Sequence, residues 1–338
     1  MTRSREIQLA ARPTGLPGPE TFRLAERELP PPSQGEVLVQ IRWLSLDPYM
    51  RGRMHEGKSY VEPFRLNEAL DGGVIAEVIE SADPGFAPGD LALAHGPWGE
   101  YAVLKAAGLQ KLPRGSRVPP QAFLSVLGMP GMTAWTGLNR IAAAKAGETI
   151  VVSSAAGAVG SLAAQLAREK GLRVIGVAGS PEKCAQAVAD FGCDACLDHR
   201  GKEVKQLSKE IAEAAPHGVD IYFENVGGTT LQAVLPRMNN FGRIALCGAI
   251  AWYNDPSAAP PASHVWLPII QKRLRVEGFI VSDHVAFRGD FLSEVVPLVE
   301  AGKILWHETV AEGLDAAPEA FVGLLEGRSR GKQLVRIR

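Results

Sequence analysis

Three small residues, Ala155, Gly157 and Gly160 in the stretch SSAAGAVGS, stand at a spacing suited to holding a phosphate. Ahead of them, TIVVS (149–153) is short and β-branched, which predicts a strand. Behind them, Val159, Leu162, Ala163 and Leu166 recur at helical spacing, with Gln165, Arg168 and Glu169 off that stripe. The stretch therefore reads as strand, glycine turn and helix. A small first residue permits a tight turn. The absent Cβ of Gly157 lets a pyrophosphate approach the backbone, and Gly160 lets helix and strand pack closely. The start of the helix then turns its unpaired N–H groups toward the anion. This is a dinucleotide site, with Ala156, Gly157, Ala158, Val159 and Gly160 as its cradle. Thr149–Ala167 carries no charge and is nearly long enough for a bilayer, but the strand and turn within it argue against a span.

The second strand, RVIGVAG (173–179), reports on the ribose. An NAD site usually ends that strand with an acid. Here Gly179 and Ser180 leave space, and Lys183 follows in the first turn of a helix. Space and a cation suit the 2′-phosphate of NADP(H), although Glu182 is an awkward neighbour.

The elements that position these residues follow from the rest of the chain. Its 338 residues are comfortable for two domains, and 46% hydrophobic with 22% charged is globular composition. A net charge of −1 offers no field for nucleic acid or anionic lipid. The N-terminal stretch lacks the apolar core of a signal peptide, and a reducing cytoplasm fits the cysteines. Cys184, Cys193, Cys196 and Cys247 are too few for a disulfide framework; Cys193-x-x-Cys196 has no second ligand pair nearby and reads as small buried thiols. Up to about residue 120, short strands such as 36–46, 72–81 and 89–106 alternate with proline and glycine turns, as in a barrel. From Gly147, strands at 149–153, 173–179, 195–197, 220–225, 243–249 and 275–281 alternate with helices, which predicts one doubly wound α/β domain. Helix, strand, helix and strand follow after Phe291.

The motifs LSLDPYMRGRM (44–54), VLGMPGMTAWTGL (126–138), AAGAVGS (155–161), GSPEKC (179–184), FENVGG (223–228), CGAIAWYN (247–254) and GFIV (278–281) run in order through most of the chain. Together they resemble the prostaglandin reductase and curcumin reductase branch of the medium-chain dehydrogenases/reductases. The resemblance implies a GroES-like catalytic domain at 1–125 completed by 303–338, and an NADP-binding Rossmann domain at 126–302. It implies cofactor contacts from Lys183, Asn225, Cys247 to Tyr253, and Phe279 to Val281. Two positions depart from the pattern: His199 stands where many relatives carry a tyrosine at the 2′-phosphate, and Ser329, in SRGK, replaces an asparagine at the cofactor. Tyr49 and Arg51 are placed by the same analogy on the pocket wall, with Met129 and Thr133 lining it. The zinc ligands of cousins are missing, since Leu44-x-x-Asp47 replaces their cysteine motif.

The implied activity is NADPH-dependent reduction of the C=C bond of a small enone or enal by hydride transfer to its β-carbon. Tyr253 is the expected donor to the developing enolate, with the cofactor ribose hydroxyl as the other candidate, and a tyrosine or water supplies the final proton. Tyr49 is the second tyrosine expected to take part in catalysis. A quinone reductase and a non-catalytic NADPH-binding protein are the alternatives. A homodimer is the family expectation.

Overall fold

Strands that bury one face alternate their side chains in and out, and β-branched residues fit that pleat. This sorts the first third of the chain into β1 (Thr2–Leu9), β2 (Phe22–Leu29), β3 (Glu36–Ser45), the short helix α1 (Met50–Arg53), β4 (Asp71–Ser81), β5 (Leu91–Pro97), β6 (Tyr101–Lys105) and β7 (Gln110–Lys111). The computed structural model describes residues 1–337 and divides at Leu124 and His307 into two units. The first holds residues 1–124 and the chain from Glu308 onward; the second is Ser125–His307.

The second unit contains α2 (Met129–Thr136), β8 (Thr149–Ser153), α3 (Gly160–Glu169), β9 (Arg173–Ala178), α4 (Pro181–Ala189), β10 (Ala195–Asp198), α5 (Val204–Ala214), β11 (Val219–Glu224), α6 (Gly228–Val234), β12 (Met238–Leu246), α7 (Ala262–Lys272), β13 (Arg275–Gly278) and α8 (Arg288–Glu300). Its six strands are parallel in the order β10-β9-β8-β11-β12-β13, the doubly wound arrangement expected from the strand–helix alternation. All five residues of β8 are buried, as a central parallel strand covered on both faces requires.

The chain then gives β14 (Glu308–Glu312), α9 (Ala317–Leu325) and β15 (Lys332–Arg336). Arg338, the last residue of the expected final strand, lies outside the described residues. β15 pairs antiparallel with β3 and parallel with β14, so the first unit's larger sheet runs β14-β15-β3-β4-β5-β7, with β6 also on β3. Its core gathers Val37, Val39, Ile41, Val74, Val78, Trp98, Phe321 and Val335. Trp98 meets Phe321 edge-on at 5.6 Å, and this settles Trp98 as core.

Three sequence expectations are corrected. Gln165 is buried: its amide donates to the Leu305 carbonyl at 2.8 Å and accepts from the Leu305 N–H at 2.8 Å. The 304–305 segment covers the α3 face that periodicity assigned to solvent. The fifth parallel strand begins at Met238 and ends at Leu246, because residues 247–253 leave the sheet as a loop. The sixth ends at Gly278, where a short 3-10 turn follows at Val281–Phe287.

Candidate functional site

The glycine turn is built around Ser154, which follows β8 at φ +53°, a left-handed conformation uncommon outside glycine. Its carbonyl accepts from the Gly157 N–H at 2.8 Å. A Cβ on Gly160 would stand 2.2 Å from that same carbonyl oxygen, so only glycine lets α3 begin there. A Cβ on Gly157 would stand 2.7 Å from the Ser154 hydroxyl. Gly160 is thus required by the loop's own backbone, whereas at Gly157 the nearest atom is a hydroxyl that can rotate. Ala155 and Ala156 are buried beneath, while Gly157, Ala158 and Val159 are partly open. Among the described residues, no backbone carbonyl accepts from the N–H of Ala158 or Val159. Those donors stand at the positive end of α3, where an anion is favoured.

At the end of β9, Ser180 caps α4: its hydroxyl accepts from the Lys183 N–H at 3.2 Å, and Pro181 takes the first helical position. The parallel pairing of β10 with β9 brings His199 alongside, its ring nitrogen 3.4 Å from where a Gly179 Cβ would be. Arg200 is the next neighbour of that position, at 3.9 Å. Burial holds the His199 imidazole below its usual range; Arg200 and Lys183 push the same way, and Asp198 opposes them. Gly179, Ser180, Lys183 and His199 therefore converge as the sequence predicted, and Arg200 joins them. Arg200 was missed because an exposed arginine after a strand carries no signal of its own.

The sheet order reverses direction between β8 and β11, the switch point where open α/β sheets bind ligands. The ends of these strands are locked together. Asn225 donates its side-chain amide to the Ser153 carbonyl at 2.8 Å, and its backbone N–H to the Ser153 hydroxyl at 2.8 Å. That hydroxyl donates to Glu224, whose carboxylate also accepts from the Val226 N–H at 2.6 Å. Glu224 is fully buried, and burial raises its pKa above the ordinary carboxylate value against the pull of those bonds. The sequence reading passed over this acid inside FENVGG.

The loop Cys247–Tyr253 folds over these ends. The N–H groups of Cys247 and Gly248 donate to the Glu224 carbonyl. The Tyr253 hydroxyl accepts from the Ala249 N–H at 3.4 Å. It lies 3.2 Å from where a Gly248 Cβ would be, beside the Asn225 carbonyl. Burial raises the pKa of the Tyr253 phenol. Burial and Glu224 push the Cys247 thiol up to about 12, so it stays protonated. Trp252 lays its ring against Gly227, at φ +77°, where a Cβ would meet it at 2.9 Å. Phe279 is buried, edge-on to Phe223 at 6.5 Å and against Gly137, so its ring belongs to the core, and its N–H donates to the Leu246 carbonyl at 3.4 Å. Val281 is partly exposed at the start of the following turn. On α2, Met129 is exposed, whereas the Thr133 hydroxyl is turned back onto the Met129 carbonyl at 2.8 Å.

In the first unit, Tyr49 lies half-buried in the turn between β3 and α1, and burial, then the charge of Asp47, raises its pKa. Arg51 is completely buried: its guanidinium donates to the Gly15 carbonyl at 2.6 and 3.2 Å and meets His55 at 2.8 Å. Expected on a pocket wall, Arg51 instead braces the turn and the 13–15 loop. Ser329 lines a groove with Thr309, Ala320, Gly323 and Gln333, between α9 and the β14–β15 pair. His95, left open by the sequence, meets Asp71 at 2.7 Å, and Asp71 also receives Arg53. Trp135 donates to Glu294 at 2.7 Å in the second unit.

Residues 5–112 match the family model described as the N-terminal domain of oxidoreductase, and 158–300 match that described as zinc-binding dehydrogenase. The residues present do not fit zinc. Asp47, at the position of the cousins' ligand motif, is engaged by Lys332 and Ser45. Among the described residues, no three His, Cys, Asp or Glu side chains group to hold a metal ion. The chain is 41% identical over 339 residues to the NADPH-dependent curcumin reductase of Escherichia coli K12, covering 99% of this chain and 97% of that one. It is 42% identical over 309 residues to the 2-alkenal reductase (NADP(+)-dependent) of Nicotiana tabacum, covering 91% and 89%. The crystal structure of CurA from Vibrio vulnificus in complex with NADPH superposes with a TM-score of 0.93 at 40% identity, over 99% of both chains.

Proposed function

Since the chain belongs to the medium-chain dehydrogenase/reductase family, in the branch of the curcumin and prostaglandin reductases, we propose that it reduces the C=C bond of α,β-unsaturated ketones or aldehydes with NADPH. NADPH, when bound, supplies the hydride that reaches the β-carbon. The residues around the Rossmann sheet fit that cofactor. The partly open N–H groups of Ala158 and Val159 suit the pyrophosphate. Lys183, His199 and Arg200 suit the 2′-phosphate, with the Ser180 hydroxyl free to donate while its oxygen caps α4. Asn225 shapes the floor at the switch point, and the backbone of Phe279 and Val281 the nicotinamide end.

The single observation that carries the chemistry is the Tyr253 hydroxyl, held by the Ala249 N–H through its oxygen, so that its own proton is left for another acceptor. A phenol donor placed before charge develops on an enolate oxygen lowers the barrier without reorganising. The high pKa of Tyr253 keeps that proton in place at neutral pH. Tyr49 is the corresponding phenol on the catalytic side, and Met129 offers an apolar wall. Ser329 is assigned to the cofactor and Arg51 to support of Tyr49.

We also assign a homodimer. β13 ends the six-stranded sheet with all four residues exposed, and α7, which precedes it in the chain and packs on β12, exposes Trp266 at 61% and Ile270 at 67%. An open sheet edge followed by exposed apolar side chains on a helix is normally paired or covered. No helix among the described residues is long and apolar enough to cross a membrane.

The test is NADPH consumption by the purified protein with an enone, with a quinone and with no acceptor. Loss of NADPH with the enone supports the reading, preference for the quinone supports the alternative reductase, and binding without consumption supports a non-catalytic role.

A further inference from the structure

A lysine ammonium without water is costly, and a buried ion pair seldom repays the desolvation of both partners. The first unit nevertheless holds one. Lys332 on β15 is 1% exposed and Asp47 is 5% exposed. The ammonium donates to Asp47 at 2.9 Å, to the Leu46 carbonyl at 2.5 Å and to the Gln333 carbonyl at 3.2 Å, which satisfies all three of its N–H groups. The other carboxylate oxygen of Asp47 accepts from the Ser45 hydroxyl. Glu308 on β14 is the further acid whose charge reaches Lys332.

The pair sits at a junction. Asp47 begins the turn that carries Tyr49, and its carbonyl accepts from the Met50 N–H at 3.1 Å, closing the chain around that tyrosine. Lys332 follows Ser329 by three residues, in the segment that Thr309 fixes through the Arg330 backbone at 2.8 and 2.9 Å. The Leu46 N–H donates to the Gln333 carbonyl at 3.1 Å, so the same two strands are stitched by backbone beside the ion pair.

We propose that Lys332 and Asp47 are a positioning pair, which fixes the turn presenting Tyr49 and ties it to the segment bearing Ser329. The pair touches neither substrate nor cofactor; it acts through those two residues. Apolar side chains of similar volume would spare the desolvation of both charges, but would leave the Leu46 and Gln333 carbonyls without the ammonium that orients them.

The catalytic consequence rests on the reductase reading, so the experiment has a readout that does not. Amide hydrogen exchange is followed in peptides spanning 46–54 and 328–333 of the full chain, alongside melting temperature and steady-state kinetics with an enone. Lys332→Met should speed exchange in both peptides by roughly tenfold or more while the Rossmann peptides stay unchanged, as a local opening does. Its kcat should fall by a similar factor as the Tyr49 turn loosens, and KM for NADPH should rise as the Ser329 segment loosens with it. The double variant Asp47→Leu/Lys332→Met should melt higher than Lys332→Met, because no unpaired charge is left buried, yet keep the fast exchange and low kcat. Ser45→Ala, which removes one bond to Asp47 and no charge, gives a smaller change of the same kind if the single charge variant fails to fold. Parental exchange at 46–54 and 328–333 in a folded variant overturns the proposal, as does a double variant that regains kcat together with stability. A parent that ignores enones, with variants that still loosen these peptides, refutes the reductase reading alone.

Discussion

The Tyr253 hydroxyl rests over Gly248, 3.2 Å from the place a Cβ would occupy. A side chain at residue 248 would displace the phenol, and the phenol is in turn held by the backbone one residue further on. The CGAIAWYN loop therefore holds the Tyr253 oxygen in place, and the proposed role of its proton can be tested directly.

Tyr253→Phe removes that proton and little else. Turnover with an enone should fall about a hundredfold, the usual cost of one preorganised donor. The NADPH Kd, read by quenching of protein fluorescence, should stay within about threefold of the parent. Unchanged turnover would remove Tyr253 from the chemistry and leave the ribose hydroxyl as donor.

The proposed 2′-phosphate site at the ends of β9 and β10 makes a prediction about the choice of nucleotide. Lys183→Ala and Arg200→Ala should each weaken NADPH binding by roughly tenfold, since a hydrogen bond to a charged group is worth about 1.5–3 kcal/mol. NADH binding should barely change. Equal losses for both nucleotides would show that these residues hold the fold rather than the 2′-phosphate.

Gly160→Ala tests the loop. The new methyl would stand 2.2 Å from the Ser154 carbonyl, a backbone atom that cannot swing aside. Overpacking of this kind costs about 1–3 kcal/mol, and the displaced start of α3 should lose most NADPH affinity. Chemical denaturation and nucleotide titration read the two effects; a variant with parental values for both would show that the loop relaxes freely.

Glu224 makes stability depend on pH in a stated direction. Its pKa is raised in the folded chain, so the folded state binds a proton that the unfolded state has released. The stabilising contribution is complete below the ordinary carboxylate value and is lost as pH rises through the folded value. Glu224→Gln keeps a neutral side chain throughout. Its melting temperature relative to the parent should therefore rise as pH increases from about the normal glutamate pKa of 4.3 toward neutral. A constant difference across that range would mean that Glu224 titrates normally.

Much of this was legible from the sequence because it is local. Periodicity found all six parallel strands, and the strand–turn–helix pattern located Ala156–Gly160. The resemblance named Asn225 and Tyr253, which the structure places after β11 and β12, and Lys183 was already legible as a cation in the first turn of α4. What escaped was non-local or carried by exposed side chains. Lys332 and Asp47 are 285 residues apart, so no window joins them. Gln165 reads as solvent-facing until the 305 segment covers it. Arg200 gains meaning only once β10 pairs with β9. Phe279 matched a cofactor segment, but its ring faces Gly137 and Phe223.

The central claim is delivery of hydride to a β-carbon. An alkenal is incubated with the protein and NADPH carrying deuterium at the transferable C4 position, and the product is read by NMR. The account predicts a saturated aldehyde with deuterium on the β-carbon. Deuterium on the carbonyl carbon of an allylic alcohol, or no consumption of NADPH in the presence of the alkenal, would contradict it.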